Sequence, residues 1–368
     1  MKLEKDMISN SQMAFLLGIY IQGAIFCTAL VFHITSRSIS LISLTSLAVF
    51  LTFVFVYIKL MRLFPGHNLM GLNDIVFGAY IGKAVSGLYI FFLVVLTVAN
   101  LRLLCDYVVG NYMVETPTIA IAIVFLFVVV WAVYAGLEVM ARIGMLFFVI
   151  VSVFTGVIFL LSLSQIEITN FLPQFDISLI DFVRTNHIIT TIFFGESFMF
   201  MMFIPCMKQQ NRLGRSLLFG LIAGEISLIL SSLMITGVLG DMASISNSPL
   251  NRVLRQVDLG QVLSRMEFIV TGILTFSVFM RIAVMYYAAT IGLGQLLGLK
   301  SYKPLVIPIA AVVLGLVVPI FYTPSAQIAC GISTWPFFSS FFTFVLPVVT
   351  LLVALLRGFF KKREEECG

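Results

Sequence analysis

The chain has 368 residues, of which 60% are hydrophobic and 11% charged, with a mean hydropathy of +1.10 and a net charge of +5. Soluble proteins carry about a quarter of their residues as charges, so this balance excludes a soluble domain of useful size and leaves a polytopic membrane protein. The excess of Lys and Arg is read by position, because basic residues beside membrane helices report orientation before they report partners, and nucleic acid is not implied.

The N-terminus, MKLEKDMISNSQ, starts basic, but its apolar run begins late and continues past Cys27 with no small-residue cleavage site. It reads as a retained first span and not a signal peptide. A helical span needs about 20 apolar residues, and ten segments qualify: 11–33, 39–61, 85–104, 118–134, 142–163, 187–206, 215–239, 266–296, 304–322 and 335–356. With the N-terminus inside, fifteen of the 22 Lys and Arg fall on inner segments. Six fall outside, namely Arg37, Arg102, Arg184, Arg252, Arg255 and Arg265, and Arg281 lies within a span. Both termini are therefore expected in the cytoplasm. Between spans, Leu250, Val253, Leu254 and Val257 recur at helical spacing among Arg252, Arg255 and Asp258, which predicts a short amphipathic helix on the outer surface. Leu69, Leu72, Ile75 and Val76 after Pro65-Gly66 predict a second interfacial helix on the inner side. The tail KKREEECG is solvated charge whose Lys361 to Arg363 can touch anionic headgroups.

A single integral membrane domain over 1–368 is expected, with a first repeat at 11–163, a second at 187–356 and a cytoplasmic tail at 357–368. Because five is odd, the second set of five spans enters from the opposite face, so the repeat is inverted. The first and sixth spans then correspond. Gly18 and Gln22-Gly23-Ala24 sit midway along one, and Gly195-Glu196-Ser197 midway along the other. Paired interruptions of this kind point to a transporter-type site at the bilayer midplane. Unwinding at such a point exposes N–H groups on one half-helix and C=O groups on the other, fitted to anionic and cationic ligand groups respectively.

An ionisable residue inside a span is a functional-site hypothesis by default. Glu196 can accept a ligand ammonium or a proton, or cap the second half-helix. Arg281 can hold a ligand carboxylate bidentately, or be locked to Glu196 or Glu225 as scaffold. Glu225 is a structural carboxyl or a proton-relay group alongside Glu196. Gln22 and Asn100 are polar groups on apolar helices, suited to interhelical hydrogen bonds or to ligand. The Met and Phe stripe at 198–203 is packing, part of which can wall a cavity, and Gly220-xxx-Gly224 permits close helix approach. Five scattered cysteines show no CxxC, and His33, His67 and His187 fall near span boundaries, so no disulfide frame and no metal site is signalled. There is no phosphate loop, Ser nucleophile motif or HExxH, so no catalytic residue, enzyme activity or cofactor is expected.

Other features occur in a recognisable order. They are Gln22-Gly23, Phe64-Pro65-Gly66 with Gly82-Lys83, Arg102 and Asp106 before Thr116-Pro117, and Gly136-Leu137-Glu138 with Arg142. Then come Asn170 with Pro173, Gly195-Glu196 with Pro205, and Arg265-Met266-Glu267. In this arrangement the chain resembles the B subunits of spore germinant receptors, the endospore germination permeases of the amino acid, polyamine and organocation transporter superfamily. The resemblance implies a ten-helix inverted-repeat fold that senses a small germinant, typically an amino acid, in the spore inner membrane beside an A-type subunit and a lipoprotein C-type subunit. It also implies a pocket walled by the third, sixth and eighth spans with the broken first. On this chain that is Leu96, Asn100, Glu196, Phe198, Met199, Met280 and Arg281, with Gln22, Gly23 and Gly195 at the two breaks. The proline common after the first-span glycine is absent, Thr28-Ala29-Leu30-Val31 standing there, and Arg281 is an unusually charged residue for its place. The alternative from another class is a proton-coupled amino acid secondary transporter.

Overall fold

The computed structural model describes residues 7–173, 177–256 and 266–359, the side chains of 266–270 excepted. The expectations on the basic N-terminal start, on Val257, Asp258 and Arg265, and on the charged tail fall outside these residues. The described chain is helical. In order it runs through α1 (Asn10–Gln22), α2 (Thr28–Phe32), α3 (Ile39–Leu63), α4 (Leu69–Phe77), α5 (Ala79–Asn111), α6 (Thr118–Ala135), α7 (Leu137–Ser162) and α8 (Leu179–Ile188). It continues with α9 (Leu213–Leu239), α10 (Pro249–Gln256), α11 (Met266–Leu296), α12 (Lys303–Val317), α13 (Pro324–Ser333), α14 (Trp335–Ser340) and α15 (Leu346–Leu356). Among the described residues eight helices are long and apolar enough to cross a membrane. The sixth predicted span is broken into short turns, and the ninth is the 15-residue α12.

Position in the bundle follows from what each helix can bury. The most apolar 18-residue stretch of the first span, Asn10–Phe32, is 94% buried, and the span forms the centre. Thr118–Ala135 and the most apolar stretch of Leu137–Gln165 are only 28% buried, and Phe127, Trp131, Leu146 and Leu160 are exposed on them, as suits helices whose solvent is lipid. α1 starts at a capping box, Ser9 accepting from the Gln12 amide (3.1 Å) and Gln12 Oε1 accepting from the Ser9 amide (2.7 Å). It crosses α9 closely because Gly220 and Gly224 have no side chains. A Cβ on Gly220 would stand 2.5 Å from the Ala14 carbonyl oxygen, and one on Gly224 2.7 Å from Ile21 Cβ.

Residue 8 pairs with Lys208 and Cys206, and Phe359 packs on Phe64, so both described ends of the chain lie at one end of the bundle, here the terminal end. The first short helix between spans, α4, buries Leu69, Leu72 and Val76 and docks against α5 where Gly82 leaves room for the Asn73 and Asp74 backbone. The second, α10, buries Leu250, Val253 and Leu254 against the distal end.

Two expectations are revised. The third span is longer than 85–104, running unbroken for 33 residues from Gly78 at φ +86° to Tyr112, since nothing between those points breaks a helix. The interruptions are rewound, not unwound. Gly23–Cys27 is a tight 3-10 turn, with Gly23 at φ −63°, ψ −13° and Thr28 at φ −59°, ψ −31°. The sixth span passes from a wide π segment, Ile189–Phe194, into 3-10 turns at Gly195–Met202 and Ile204–Cys206. Switching hydrogen-bond register in this way still leaves carbonyl groups without helical partners, so the break frees acceptors without an extended strand.

Candidate functional site

The two breaks lie side by side, and Arg281 on α11 stands between them, fully buried. Its guanidinium donates to the Tyr20 carbonyl at the end of α1 (3.2 Å) and to the Ile192 carbonyl in the π segment (2.6 Å). These are acceptors of the kind a register change releases. It also donates to Asn100 Oδ1 on α5 (3.2 Å) and to Glu196 Oε2 (2.8 Å), and it lies 4.5 Å from the centre of the Tyr20 ring. The second Glu196 oxygen accepts from Trp335 Nε1 (3.0 Å). A charged pair buried this deeply persists only when its remaining hydrogen-bonding capacity is met, and here both ions have further partners. Gly23 makes the approach possible: a Cβ there would come within 2.6 Å of the Ser277 carbonyl oxygen and 2.9 Å of Arg281 Cβ. Gly195 sits where a Cβ would come 3.0 Å from Phe344.

Of the residues expected at a ligand pocket, the structure therefore brings Gly23, Asn100, Glu196 and Arg281 together, with Gly195 beside Glu196. Gln22 turns the other way and donates to Ser152 on α7 (2.7 Å) and Ser227 on α9 (2.8 Å). Leu96 is buried on α5, where its carbonyl accepts from the Asn100 side chain. Phe198 stacks on Tyr89 with ring centres 5.3 Å apart, within a layer that includes Phe92. Met199 is buried in the same core. Met280, although next to Arg281 in sequence, packs over Gly144 on α7. Glu225 does not pair with Arg281. Its Oε1 accepts from Ser43 (2.5 Å), and its Oε2 is buried with no hydrogen-bond partner.

Beside Glu196 is a cavity of about 50 Å³, bounded by Asn100, Ile192, Glu196, Gln327 and Trp335. That volume holds a few water molecules. It shares Leu30, Leu103, Gln327 and Ile328 with a wider cavity of about 370 Å³ at the distal end. At the terminal end a third cavity of about 300 Å³ lies between α4, α5 and α11, with Asp74 and Lys83 on its wall.

Several of these groups escape a reading of the sequence. Trp335 opens the tenth span and looks like an interfacial anchor, and Tyr20 contributes a ring and a carbonyl that no motif marks. Gln327 sits on α13, a helix absent from the expected spans. Its signal was present in Thr323-Pro324, since the Thr323 hydroxyl caps the Ala326 amide and proline suits a first turn.

A bundle whose broken first and sixth helices meet at a buried ionic centre has the architecture of a membrane permease. Similarity to solved structures agrees at the level of fold. The chain is similar to Mhp1, a nucleobase-cation-symport-1 family transporter solved in a closed conformation with bromovinylhydantoin bound. The TM-score is 0.61 at 13% identity, over 94% of this chain and 78% of that one. Among sequence families, the profile of the spore germination protein family, the spore permeases, matches residues 7–323. The chain belongs to this spore permease family and is a multi-pass membrane protein. A search of curated proteins returns no match.

Proposed function

We propose that this protein is a germinant-sensing subunit that binds a small molecule, an amino acid in the first instance, on a transporter-type scaffold in the spore inner membrane. It would pass the event to A-type and lipoprotein C-type partner subunits. The observation that carries the reading is the placement of Arg281. One guanidinium holds a carbonyl from each broken helix together with Glu196 and Asn100. Those are the groups a zwitterionic ligand would address, an ammonium at Glu196 and a carboxylate at Arg281. In the ligand-free arrangement the pair satisfies itself, and a ligand shifts the equilibrium by competing for one partner, to the extent of its differential affinity for the two arrangements and no further. The inverted repeat of 11–163 and 187–356, with both termini cytoplasmic, is part of the same proposal, the broken helices being its corresponding members.

The test is ligand-triggered germination in spores carrying Glu196→Gln or Arg281→Ala. The expected result is a dose response displaced to higher germinant concentration at unchanged protein level. Normal responses in both variants overturn the site.

A second reading, proton-coupled amino acid transport, is favoured by Glu225. This carboxyl is buried beside one hydroxyl donor, with its other oxygen unpaired, and has no basic partner among the described contacts. Accumulation of labelled amino acid in proteoliposomes, abolished in Glu225→Gln, supports transport; binding without accumulation supports sensing.

A further inference from the structure

Four oxygen atoms from four separate segments converge on Arg281. The Tyr20 carbonyl closes α1 and lies 3.2 Å from Nη1, and the Ile192 carbonyl belongs to the π segment and lies 2.6 Å from Nη2. Asn100 Oδ1 comes from α5, 3.2 Å from Nε, and Glu196 Oε2 follows the second break, 2.8 Å from Nη2. Carbonyl dipoles that face one another from two interrupted helices repel unless a positive charge lies between them, which is why such breaks collect cations. Two main-chain carbonyls, an amide oxygen and a carboxylate oxygen are also the donor types that hard cations take from proteins. Their net charge of one suits a monovalent ion. The Tyr20 ring adds its negative face, 4.5 Å from the guanidinium carbon.

A counter-ion for Glu196 alone would be built differently. Arginine neutralising a carboxylate takes both of its oxygens in a fork. Here Glu196 offers Arg281 one oxygen and gives the other to Trp335 Nε1 (3.0 Å), so three of the four guanidinium bonds go to neutral oxygens. The hydroxyls nearest the first break stay within their own helices, Ser277 donating to the Leu274 carbonyl (2.6 Å) and Thr28 to the Ile25 carbonyl (2.6 Å). α11 is pressed against the break to deliver the charge. A Cβ on Gly23 would stand 2.9 Å from Arg281 Cβ, and Arg281 is fully buried.

We propose that the Arg281 guanidinium is a tethered cation: it fills a monovalent-cation site formed by the two helix breaks, and the protein takes its small ligand with no dissolved Na⁺ or K⁺ as co-ligand. A charge carried on α11 has an occupancy that the medium does not alter. The ions on either side of the membrane therefore do not shift the balance between arrangements at this centre, because they have no differential affinity to contribute. A Na⁺ or K⁺ gradient does no work through it. The inference rests on the same ionic centre as the proposed function, but it concerns what the guanidinium stands in for and not which ligand group competes for it.

The experiment follows thermal unfolding of the full-length protein in lipid nanodiscs by tryptophan fluorescence. The salts are NaCl, KCl and choline chloride, each at about 0.2 M so that screening is equal. Wild type and Arg281→Lys, which keeps a tethered charge, are expected to show one midpoint in all three. Arg281→Ala removes the charge and leaves its oxygens. Its unfolding constant is expected to be at least about tenfold smaller in NaCl or KCl than in choline chloride, the linkage for an ion at roughly ten times its Kd. Methylguanidinium chloride is expected to stabilise Arg281→Ala likewise and to leave wild type unchanged. A midpoint in wild type or Arg281→Lys that depends on which salt is present overturns the proposal. So does Arg281→Ala that responds to none of Na⁺, K⁺ and methylguanidinium, including a variant that stays unfolded in all of them. Germination dose responses separate the two readings. A displaced response in Arg281→Ala with no cation effect on its stability refutes the tethered cation and leaves Arg281 as a ligand contact; cation-dependent stability with a normal dose response does the reverse.

Discussion

Replacing Arg281 by Met removes four hydrogen bonds at once. The Tyr20 and Ile192 carbonyls lose a donor, which a group with two lone pairs tolerates comparatively well. Glu196 fares worse, since it is 1% exposed and keeps only the Trp335 indole. Removing one partner of a buried pair typically costs about 3–5 kcal/mol, because the other is left uncompensated. That is about two to more than three orders of magnitude in the unfolding constant. The double variant Arg281→Met with Glu196→Gln removes the stranded charge and should recover part of the loss, giving a coupling of about 2–3 kcal/mol. The reference is Arg142→Met, which breaks the exposed one-turn pair with Glu138, a class worth about 0–1 kcal/mol. Reversible SDS unfolding in mixed micelles, followed by tryptophan fluorescence, measures all of these. If Arg281→Met is no more destabilising than Arg142→Met, or if the Arg281 and Glu196 substitutions are additive, the ionic centre does not hold the broken helices together.

Gly23→Ala places a methyl group 2.6 Å from the Ser277 carbonyl oxygen and should cost about 1–3 kcal/mol in the same assay while loosening the Arg281 contacts; wild-type stability would show that α11 can back away freely. Gln22→Leu strips the buried Ser227 and the half-buried Ser152 of a donor, with an expected loss of about 1–3 kcal/mol and an unchanged ligand dose response, since its side chain points away from Arg281. A shifted dose response would return Gln22 to the binding site. At the distal end, hydrogen bonds from Arg37 and Ser36 hold the Asp241 carboxyl below its usual range. A depressed folded-state value means the tie is fully present above about pH 4 and fades as pH falls through it. The difference in thermal stability between wild type and Asp241→Asn should therefore be small, for a side chain 69% exposed, and constant through neutral pH, shrinking only in acid; a change between neutral and mildly basic pH would refute the assignment.

The apolar runs made the bundle legible, because a span long enough for a bilayer can be counted residue by residue. The broken helices were legible too, through Gln22-Gly23 and Gly195-Glu196, although glycine announces only that a helix can change there. It does not say whether the chain will unwind or switch to 3-10 and π turns, which depends on what packs across it, here Ser277 and Phe344. The pairing of Arg281 with Glu196 and not Glu225 was open in the sequence, since three charges on three spans have no sequence distance that ranks them. Helical rotation decides it, turning Glu225 toward Ser43 and Glu196 toward Arg281. α13 was invisible for a simpler reason: ten residues with Gln327 and Gly331 fall below any length that marks a span.

α5 has a consequence for how distant parts of the molecule communicate. At about 1.5 Å per residue its 33 residues reach roughly 50 Å, beyond a hydrocarbon layer of about 30 Å, with no break along the way. Lys83 and Ser86 stand on the terminal cavity, Asn100 touches Arg281, and Asp106 and Asn111 stand on the distal cavity. A continuous helix does not shorten to absorb a push, so it moves as a shaft. A displacement of Asp106 along the helix axis by a fraction of an ångström is carried to Asn100 and to Gly82 against α4. In that sense the unbroken helix, and not either broken one, sets how faithfully movement at one end of the bundle reaches the other.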